Sequence, residues 1–244
     1  MRAVRPADSR AGLARSIRLF RLFLREQSAP EVFYSELARD SVAQLQRWTA
    51  LRDAVVIDVG GGPGYFARAF AGQGARYVGI ELDVPTDLPA DAHALVASAM
   101  TLPLRSESVD VAYSSNVIEH LREPWRMAEE MVRVTRPGGL IYLSFTPWYS
   151  PWGGHETAPW HYLGGDRARR RYLRTRGREP KNAYGQTLFA HRVSDALRWA
   201  ADCADAEVVT ALPRYHPRWA WWLTRVPAVR EVALWNLALV MRKR

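Results

Sequence analysis

An apolar segment at residues 55–59 runs directly into a glycine-rich turn, and this junction restricts the fold more than any other part of the sequence. The segment has the composition of a strand that is buried on both faces of a sheet. Glycines at positions 60, 61, 62 and 64 allow the backbone to turn sharply and to lie close against a ligand. The sequence therefore predicts a strand, a ligand-binding loop and a helix. A glycine turn that only packs tightly is the alternative interpretation.

The spacing of the glycines distinguishes between the ligands that such loops bind. A dinucleotide fingerprint, G-x-G-x-x-G, would need a glycine at position 65, which is Tyr65. A phosphate-binding loop ends in Gly-Lys-Ser/Thr, whereas Gly64 is followed by Tyr65 and Phe66. The spacing therefore disfavours NAD, ATP and GTP. Asp58 precedes the glycines, and a carboxylate suits a cationic ligand.

The pattern Asp58-x-Gly60-x-Gly62-x-Gly64 resembles motif I of the class I S-adenosylmethionine-dependent methyltransferases. Four further segments resemble that family in the same order along the chain: residues 77–83, 97–104, 108–121 and 132–144. The last of them predicts the end of a helix, a break at the Pro-Gly-Gly of residues 137–139, and then the fifth strand. The resemblance covers about residues 50–150 and is greatest to the small-molecule, quinone-biosynthesis-like group with a methyltransferase type 11 domain. It implies S-adenosyl-L-methionine as the cofactor and methyl transfer as the reaction.

The resemblance also implies roles for individual residues. Asp58 and the glycines would hold the methionine moiety, and Glu81, at the end of the second strand, would bind the ribose hydroxyls. Ser98 stands where many relatives have an acid that binds adenine, so this contact differs here. The implied cofactor-binding residues are Asp58, Gly60, Gly62, Gly64, Glu81, Ser98, Ala99, Met100 and Asn116.

Apolar strand patterns alternate with helical patterns along the chain, which predicts an α/β fold. Together with the resemblance, this alternation indicates a doubly wound, mostly parallel seven-stranded sheet with its ligand at the carboxyl ends of the strands. The length of 244 residues suits one such domain. We expect N-terminal basic and cap helices at 1–49 and the methyltransferase domain at 50–244, with a substrate-side insertion at 146–185.

Cysteine content and hydropathy restrict the cellular location. Cys203 is the only cysteine, so a disulfide within the chain is excluded. Arginines interrupt the first apolar stretch, and no apolar run approaches the length of a membrane span. These features predict a cytoplasmic enzyme, with peripheral contact to an anionic membrane as an open addition.

The formal net charge of +9 is concentrated in two segments. Residues 1–30 hold seven arginines against two acids, and residues 166–181 hold seven arginines and one lysine against two acids. A helix over 13–26 would gather Arg15, Arg18, Arg21 and Arg25 opposite Leu13, Ile17, Phe20, Phe23 and Leu24. Its apolar face predicts either packing over the sheet or active site, or contact with a membrane.

The second basic segment has two further interpretations. Arginines flanked by tyrosines are typical of nucleic-acid backbone contact, so RNA is a second candidate substrate. However, residues 114–117 read Ser-Ser-Asn-Val rather than the Asn/Asp-Pro-Pro-Tyr of base amino-group methyltransferases. A solvated surface is the other alternative.

Residues 146–162 follow the predicted fifth strand and would therefore emerge beside the methyl donor. Three tryptophans lie within thirteen residues here: Trp148, Trp152 and Trp160. They indicate an apolar acceptor, such as a lipid-like, aromatic or glycan molecule, or else they only stiffen a long loop.

Methyl transfer to an oxygen or acidic carbon requires removal of a proton, and the candidate bases are His155, His161 and His120. His120, next to Glu119, is equally suited to shaping the turn after the fourth strand. No metal site is predicted, because Asn116 lacks the first carboxylate of the Glu-x-x-Glu-His pattern found in metal-assisted relatives.

The sequence thus predicts transfer of a methyl group from S-adenosylmethionine to an oxygen or carbon nucleophile of an apolar small molecule or lipid-linked acceptor. RNA methylation remains the alternative reaction. A cofactor-binding module without turnover also remains open, because a fold does not by itself define an activity.

Overall fold

The structure is a computed structural model that describes residues 11–26, 28–83 and 93–244. Its strands are β1 (Val55–Val59), β2 (Arg76–Glu81), β3 (His93–Val96), β4 (Val109–Ser115), β5 (Thr135–Phe145), β6 (Ala206–Pro213) and β7 (Leu237–Lys243). They form one seven-stranded sheet in the order β3-β2-β1-β4-β5-β7-β6. Strands β1 to β5 pair in parallel, whereas β7 is antiparallel to β5 and β6. The predicted mostly parallel, seven-stranded α/β fold is confirmed.

Helices cover both faces of this sheet. They are α1 (Leu13–Phe23), α2 (Pro30–Leu45), α3 (Tyr65–Ala71), α4 (Pro124–Val134), α5 (Gly165–Arg176), α6 (Val193–Asp202) and α7 (Pro227–Ala233). Short 3-10 helices span residues 118–120, 155–157, 160–163 and 218–225. Among the residues described, no helix is long and apolar enough to cross a membrane.

Successive residues of β1 point to opposite faces of the sheet, which gives the domain two hydrophobic cores. Val56 lies in one core with Leu37 of α2 and Phe70 of α3. Ile57 lies in the other core with Met131 of α4. Burial on both faces explains the unbroken apolar run of β1. Because β1 lies between β2 and β4, the carboxyl ends of these three strands share one edge of the sheet.

Strand β5 begins earlier than the Pro-Gly-Gly sequence suggests. The predicted break at residues 137–139 lies inside the strand, because Thr135 already pairs with Val109. The next pair is Val111 with Leu140, so residues 136–139 bulge opposite a single residue of β4. Gly138 has φ +76°, which permits this bulge.

The face of α1 that packs on the protein differs from the predicted apolar face. Arg15 is buried and forms an ion pair with Asp40 of α2 at 2.5 Å, so it does not belong to the exposed basic face. Three predicted inward residues are exposed by 42–61%: Leu13, Ile17 and Leu24. Spacing alone misassigned part of this face, because the helix is anchored by a buried ion pair together with Phe20 and Phe23, which contact Trp152.

Candidate active site

The glycine-rich loop joins β1 to α3 at the carboxyl edge of the sheet. Gly60, Gly62 and Gly64 have φ values of +77°, +63° and +88°, a region that other residues rarely adopt. A methyl group at Gly60 would collide with Val117, so the loop lies directly on the segment that follows β4. A methyl group at Gly62 would meet no protein atom within 4 Å. The loop is therefore packed at its start and open beside Gly62.

Asp58 is buried at the point where β1 enters this loop. Its Oδ2 accepts a hydrogen bond from the Tyr77 hydroxyl at 2.9 Å, whereas its Oδ1 is buried without a partner among the described residues. Burial raises the pKa of Asp58 to about 7, although the Tyr77 hydrogen bond opposes this shift. A methyl group at Gly61 would lie 2.5 Å from the Tyr77 hydroxyl oxygen, so only glycine leaves room for the Asp58–Tyr77 pair.

Glu81 ends β2 beside the same loop. One of its carboxylate oxygens accepts a hydrogen bond from the Gly62 N–H, which holds the half-buried side chain against the glycines. Burial raises the pKa of Glu81 above its ordinary value. The second carboxylate oxygen forms no hydrogen bond with the described residues and is therefore available to a ligand.

Ser98, Ala99 and Met100 form the turn after β3, which the pairing of Glu81 with Val96 brings next to Glu81. All three are partly exposed. The Ser98 hydroxyl accepts a hydrogen bond from the Met100 N–H at 3.2 Å. The hydroxyl that replaces the acid of many relatives thus shapes the turn, and the edge of the turn remains accessible.

Asn116 directly follows β4 with φ +59°. Its N–H donates to the Ser144 carbonyl at 2.7 Å, and its Oδ1 accepts from Asn236 Nδ2 at 2.8 Å. The side chain of Asn116 also hydrogen-bonds to Tyr215, which opposes the rise in the Tyr215 pKa that burial causes. Asn116 is therefore held in a fixed position beside the start of the glycine loop.

Arg214 lies fully buried beneath this region. Its guanidinium donates to four hydroxyl oxygens at 2.6–3.1 Å, those of Ser41, Tyr113, Ser115 and Ser144. These contacts tie α2 to the carboxyl ends of β4 and β5. The four acceptors are neutral, so the buried cation forms hydrogen bonds with its neighbours without a direct ion pair.

Seven aromatic side chains form a continuous row of ring contacts, here called the aromatic wall. The contacts, in order, join Tyr65, Tyr34, Phe33, Phe23, Trp152, Phe20 and Trp235, with ring centroids 5.1–6.2 Å apart. Tyr65 directly follows the glycine loop, and Trp152 belongs to the segment after β5. The aromatic wall therefore leads from the predicted cofactor loop to the predicted acceptor region.

Two of the three predicted histidines lie together. The rings of His120 and His155 are 5.3 Å apart at 72°, and Glu119 completes a group whose donor atoms lie within 4.8 Å of one another. Burial lowers the pKa of His155 below its ordinary value. A neutral imidazole of this kind can accept a proton.

The third predicted histidine, His161, has different surroundings from these two residues. It is buried, contacts the edge of Trp148, and has its Nε2 3.2 Å from the Ser150 carbonyl. A methyl group at Gly154 would lie 2.5 Å from the His161 ring, which shows how tightly the ring is packed. His161 is therefore enclosed within the insertion, and its role as a base stays a prediction.

Several residues around the site have no counterpart in the sequence-based prediction. Tyr77 contacts the predicted residue Asp58, and Tyr215 and Asn236 contact the predicted residue Asn116. Tyr34 and Arg214 contact their neighbours Tyr65 and Tyr113. Of these residues, only Tyr77 could have been found from the sequence, because it begins the second predicted strand. The pairing of β2 with β1 then brings Tyr77 close to Asp58. The other four become neighbours through folding alone.

Known proteins similar to this chain agree with the geometry. A methyltransferase domain family, type 11, matches residues 57–143. A Mycobacteroides abscessus protein named as an uncharacterized methyltransferase is 52% identical and aligns over 96% of both chains.

Among solved structures, a Haloferax volcanii methyltransferase in complex with the Trm112 activator shares the fold at 19% identity and TM-score 0.55, covering 98% and 99% of the two chains. A Burkholderia thailandensis 1,6-didemethyltoxoflavin-N1-methyltransferase with bound S-adenosylhomocysteine shares it at 15% identity and TM-score 0.54, covering 93% and 88%. At these identities the two structures support the fold alone.

The chain belongs to the class I S-adenosylmethionine-dependent methyltransferases. It is a methyltransferase of the type 11 group, and its fold implies S-adenosylmethionine as the methyl donor. The residues present fit that donor, because the unpaired buried oxygen of Asp58 suits a cation and the space beside Gly62 admits a ligand close to the backbone.

Proposed function

We propose that this enzyme transfers the methyl group to an oxygen or carbon nucleophile of an apolar small molecule or lipid-linked acceptor. The observation that supports this acceptor class is the aromatic wall, which extends from Tyr65 beside the glycine loop to Trp235. Aromatic side chains favour apolar ligands and orient them through ring contacts. The wall is built by α1, α2 and the segment after β5, so these elements together shape the acceptor side.

The proposed donor site uses the residues that surround the glycine loop. Asp58 and the glycines would hold the methionine end, Asn116 would lie beside it, and Glu81 would accept hydrogen bonds from the ribose hydroxyls. The turn of Ser98, Ala99 and Met100 would border the adenine. The donor supplies a methyl group already activated by a sulfonium. The protein's main task is then to align the acceptor.

We assign removal of the acceptor proton to the group of Glu119, His120 and His155. Burial lowers the pKa of His155 below its ordinary value, which favours the neutral imidazole, and its Nε2 forms no hydrogen bond with the described residues. His161, whose ring is packed against Trp148, has no part in this step. The 3-10 helix of residues 155–157 places His155 over the turn that follows β4.

A lipid-linked acceptor would lie at a membrane, and the surface around the insertion suits contact with one. A groove of about 700 Å³ on the insertion is lined by Trp160, Leu163, Arg167, Ala168, Arg170, Arg171, Leu173 and Arg174. Arg171 lies over the Trp160 ring at 4.1 Å. Apolar side chains among arginines favour anionic lipid headgroups. We therefore propose peripheral contact with an anionic membrane.

The test is transfer of a radiolabelled methyl group from S-adenosylmethionine to fractionated cell extract. We expect label in the lipid or apolar small-molecule fraction, and loss of that label in the His155→Asn variant. Label that disappears after nuclease treatment would support the RNA alternative, in which the arginines of α5 contact phosphates. Cofactor binding without labelled product in any fraction would support the module without turnover.

A further inference from the structure

Glu119, His120 and His155 share a feature that proton transfer does not require. In each side chain, one polar atom is within hydrogen-bond distance of a main-chain group, and the other polar atom is available to a ligand. The Thr146 N–H donates to Glu119 Oε1 at 3.0 Å, while Glu119 Oε2 is buried without any partner among the described residues. Glu119 is only 1% exposed, and it forms no ion pair within that part of the chain.

The two imidazoles are oriented in the same way. His120 Nδ1 lies 2.7 Å from the Thr187 carbonyl oxygen, and His155 Nδ1 lies 3.4 Å from the Gly153 carbonyl oxygen. A carbonyl only accepts hydrogen bonds, so Nδ1 carries the proton in both neutral rings. The lone pair of each ring is therefore on Nε2. A histidine that binds a metal ion is commonly fixed in this manner by a backbone carbonyl.

The ring separation of the two histidines agrees with a tetrahedral metal site, and the donor atoms lie near the spacing that such a site needs. Two imidazoles bound to one ion at about 2.1 Å have ring centroids about 5.2 Å apart, and the rings of His120 and His155 are 5.3 Å apart. The donor atoms lie within 4.8 Å of one another, whereas tetrahedral coordination needs about 3.4 Å. Small side-chain rotations would close this difference.

We propose that Glu119, His120 and His155 form a binding site for a divalent transition-metal ion of the zinc type. Two histidines and one carboxylate leave a fourth position open, as in catalytic zinc sites. The ion would compensate the otherwise unpaired charge of Glu119. Asn116 is not part of this donor set, because its amide oxygen accepts a hydrogen bond from Asn236.

The open position gives the ion a role that rests on the proposed function. An acceptor hydroxyl that binds there loses its proton to water more readily, since a zinc ion lowers the pKa of a bound hydroxyl. The oxygen that remains is the nucleophile for the methyl group. With the ion bound, the imidazoles would act as ligands and water would accept the proton, so this role would replace the direct proton removal assigned above to the group.

Ion binding is tested by calorimetric titration of chelator-treated full-length protein with ZnCl₂. We expect saturable binding of one ion per chain, and at least about tenfold weaker binding in Glu119→Gln and His155→Asn. Asparagine is chosen at position 155 because it tolerates the left-handed backbone found there, φ +47°. His93→Asn, at an exposed site on β3, is the matched control and should bind zinc as the unmodified protein does.

Circular dichroism establishes that each variant is folded before its affinity is compared. Equal zinc affinity in the unmodified protein and both ligand variants, or no saturable heat, overturns the site. This readout needs neither acceptor nor methyl transfer, so it is independent of the proposed function. The ion's role is tested separately, because chelation should abolish labelled product and ZnCl₂ should restore it. Product formation that chelation leaves unchanged overturns the role.

Discussion

A single carboxyl group, that of Asp58, connects the donor site to the stability of the fold. Its pKa of about 7 means that the folded protein holds a proton that the unfolded chain releases near its ordinary value. The contribution of protonated Asp58 to the stability of the fold is therefore complete below the pKa that Asp58 has in the unfolded chain. This contribution is lost as the pH rises through about 7. A bound cation would reverse this effect because it favours the ionised carboxylate.

We expect Asp58→Asn to change how thermal stability depends on pH. Between about pH 5 and pH 8, the melting temperature of the unmodified protein should fall relative to that of the variant, because only the unmodified protein must ionise a buried carboxyl group. Thermal unfolding without ligand measures this difference. Asp166→Asn, in the first turn of exposed α5, is the control. Parallel curves for Asp58→Asn and the unmodified protein would contradict the prediction.

A second prediction concerns the side chain of Glu81 and its effect on ligand binding. Glu81→Ala should weaken binding of S-adenosylhomocysteine at least tenfold, by about 1.5–3 kcal/mol, because a charged hydrogen-bond acceptor is lost. Isothermal titration calorimetry provides the measurement. Glu129→Ala, an exposed change on α4, should leave the affinity unchanged. Equal affinity in the Glu81 variant would refute the ribose assignment.

Among the elements, α1 combines an ion pair with aromatic contacts. Arg15 binds Asp40 and also donates to the Arg214 carbonyl at 3.0 Å, so α1 is connected to the buried network beneath the site. Phe20 and Phe23 extend the aromatic wall to Trp152. The described part of α1 therefore packs against the protein on one side, while Leu13 and Ile17 remain exposed on the other.

We expect Phe20→Ala to lower the free energy of unfolding by about 1–3 kcal/mol, below the range for a fully buried phenylalanine because Phe20 is half-buried. The same change should raise the KM for the acceptor more than that for the donor, since Phe20 contacts Trp152 and Trp235. Urea denaturation and steady-state kinetics measure the two effects. Leu24→Ala, an exposed change directly after α1, should change stability by less than about 0.5 kcal/mol. An equal effect of both variants would argue against docking through Phe20.

At the scale of the whole molecule, three segments that contain basic and apolar residues contact one another through Phe20, Trp152 and Trp235. The contacts of Phe20 with Trp152 and Trp235 join α1, the insertion and the segment before β7. Each of them exposes large apolar side chains, such as Ile17, Trp160 and Trp219. Together with the net charge of +9, this arrangement favours an anionic membrane over a neutral one.

Vesicle sedimentation tests this surface. The protein should bind phosphatidylglycerol vesicles more tightly than phosphatidylcholine vesicles, and binding should weaken as salt screens the arginines. Exchange of Trp219 and Trp222 for alanine should reduce binding, because these side chains are 71% and 53% exposed. Trp199→Ala, a half-buried change on α6, is the control. Equal binding to both vesicle types would contradict membrane contact.

The local sequence predicted much of the central sheet. Strand β1 and its glycine turn are where their pattern placed them, because both depend on consecutive residues. The start of β5 was not predicted, since Thr135 joins the strand through its pairing with Val109 and not through its own neighbours. The candidate donor residues Asp58, Glu81 and Asn116 do lie around one loop, and their roles stay predictions.

What the sequence by itself determined is the class of enzyme and the glycine loop between β1 and α3, because glycine spacing and buried strands follow directly from residue order. Only the tertiary structure decided that Arg15 is buried, that seven aromatic rings form one wall, and that Glu119 and His120 meet His155. These contacts join residues that are far apart in the chain, and no local propensity specifies them. They arise because burial of apolar surface brings α1 and the segment after β5 together at the carboxyl edge of the sheet.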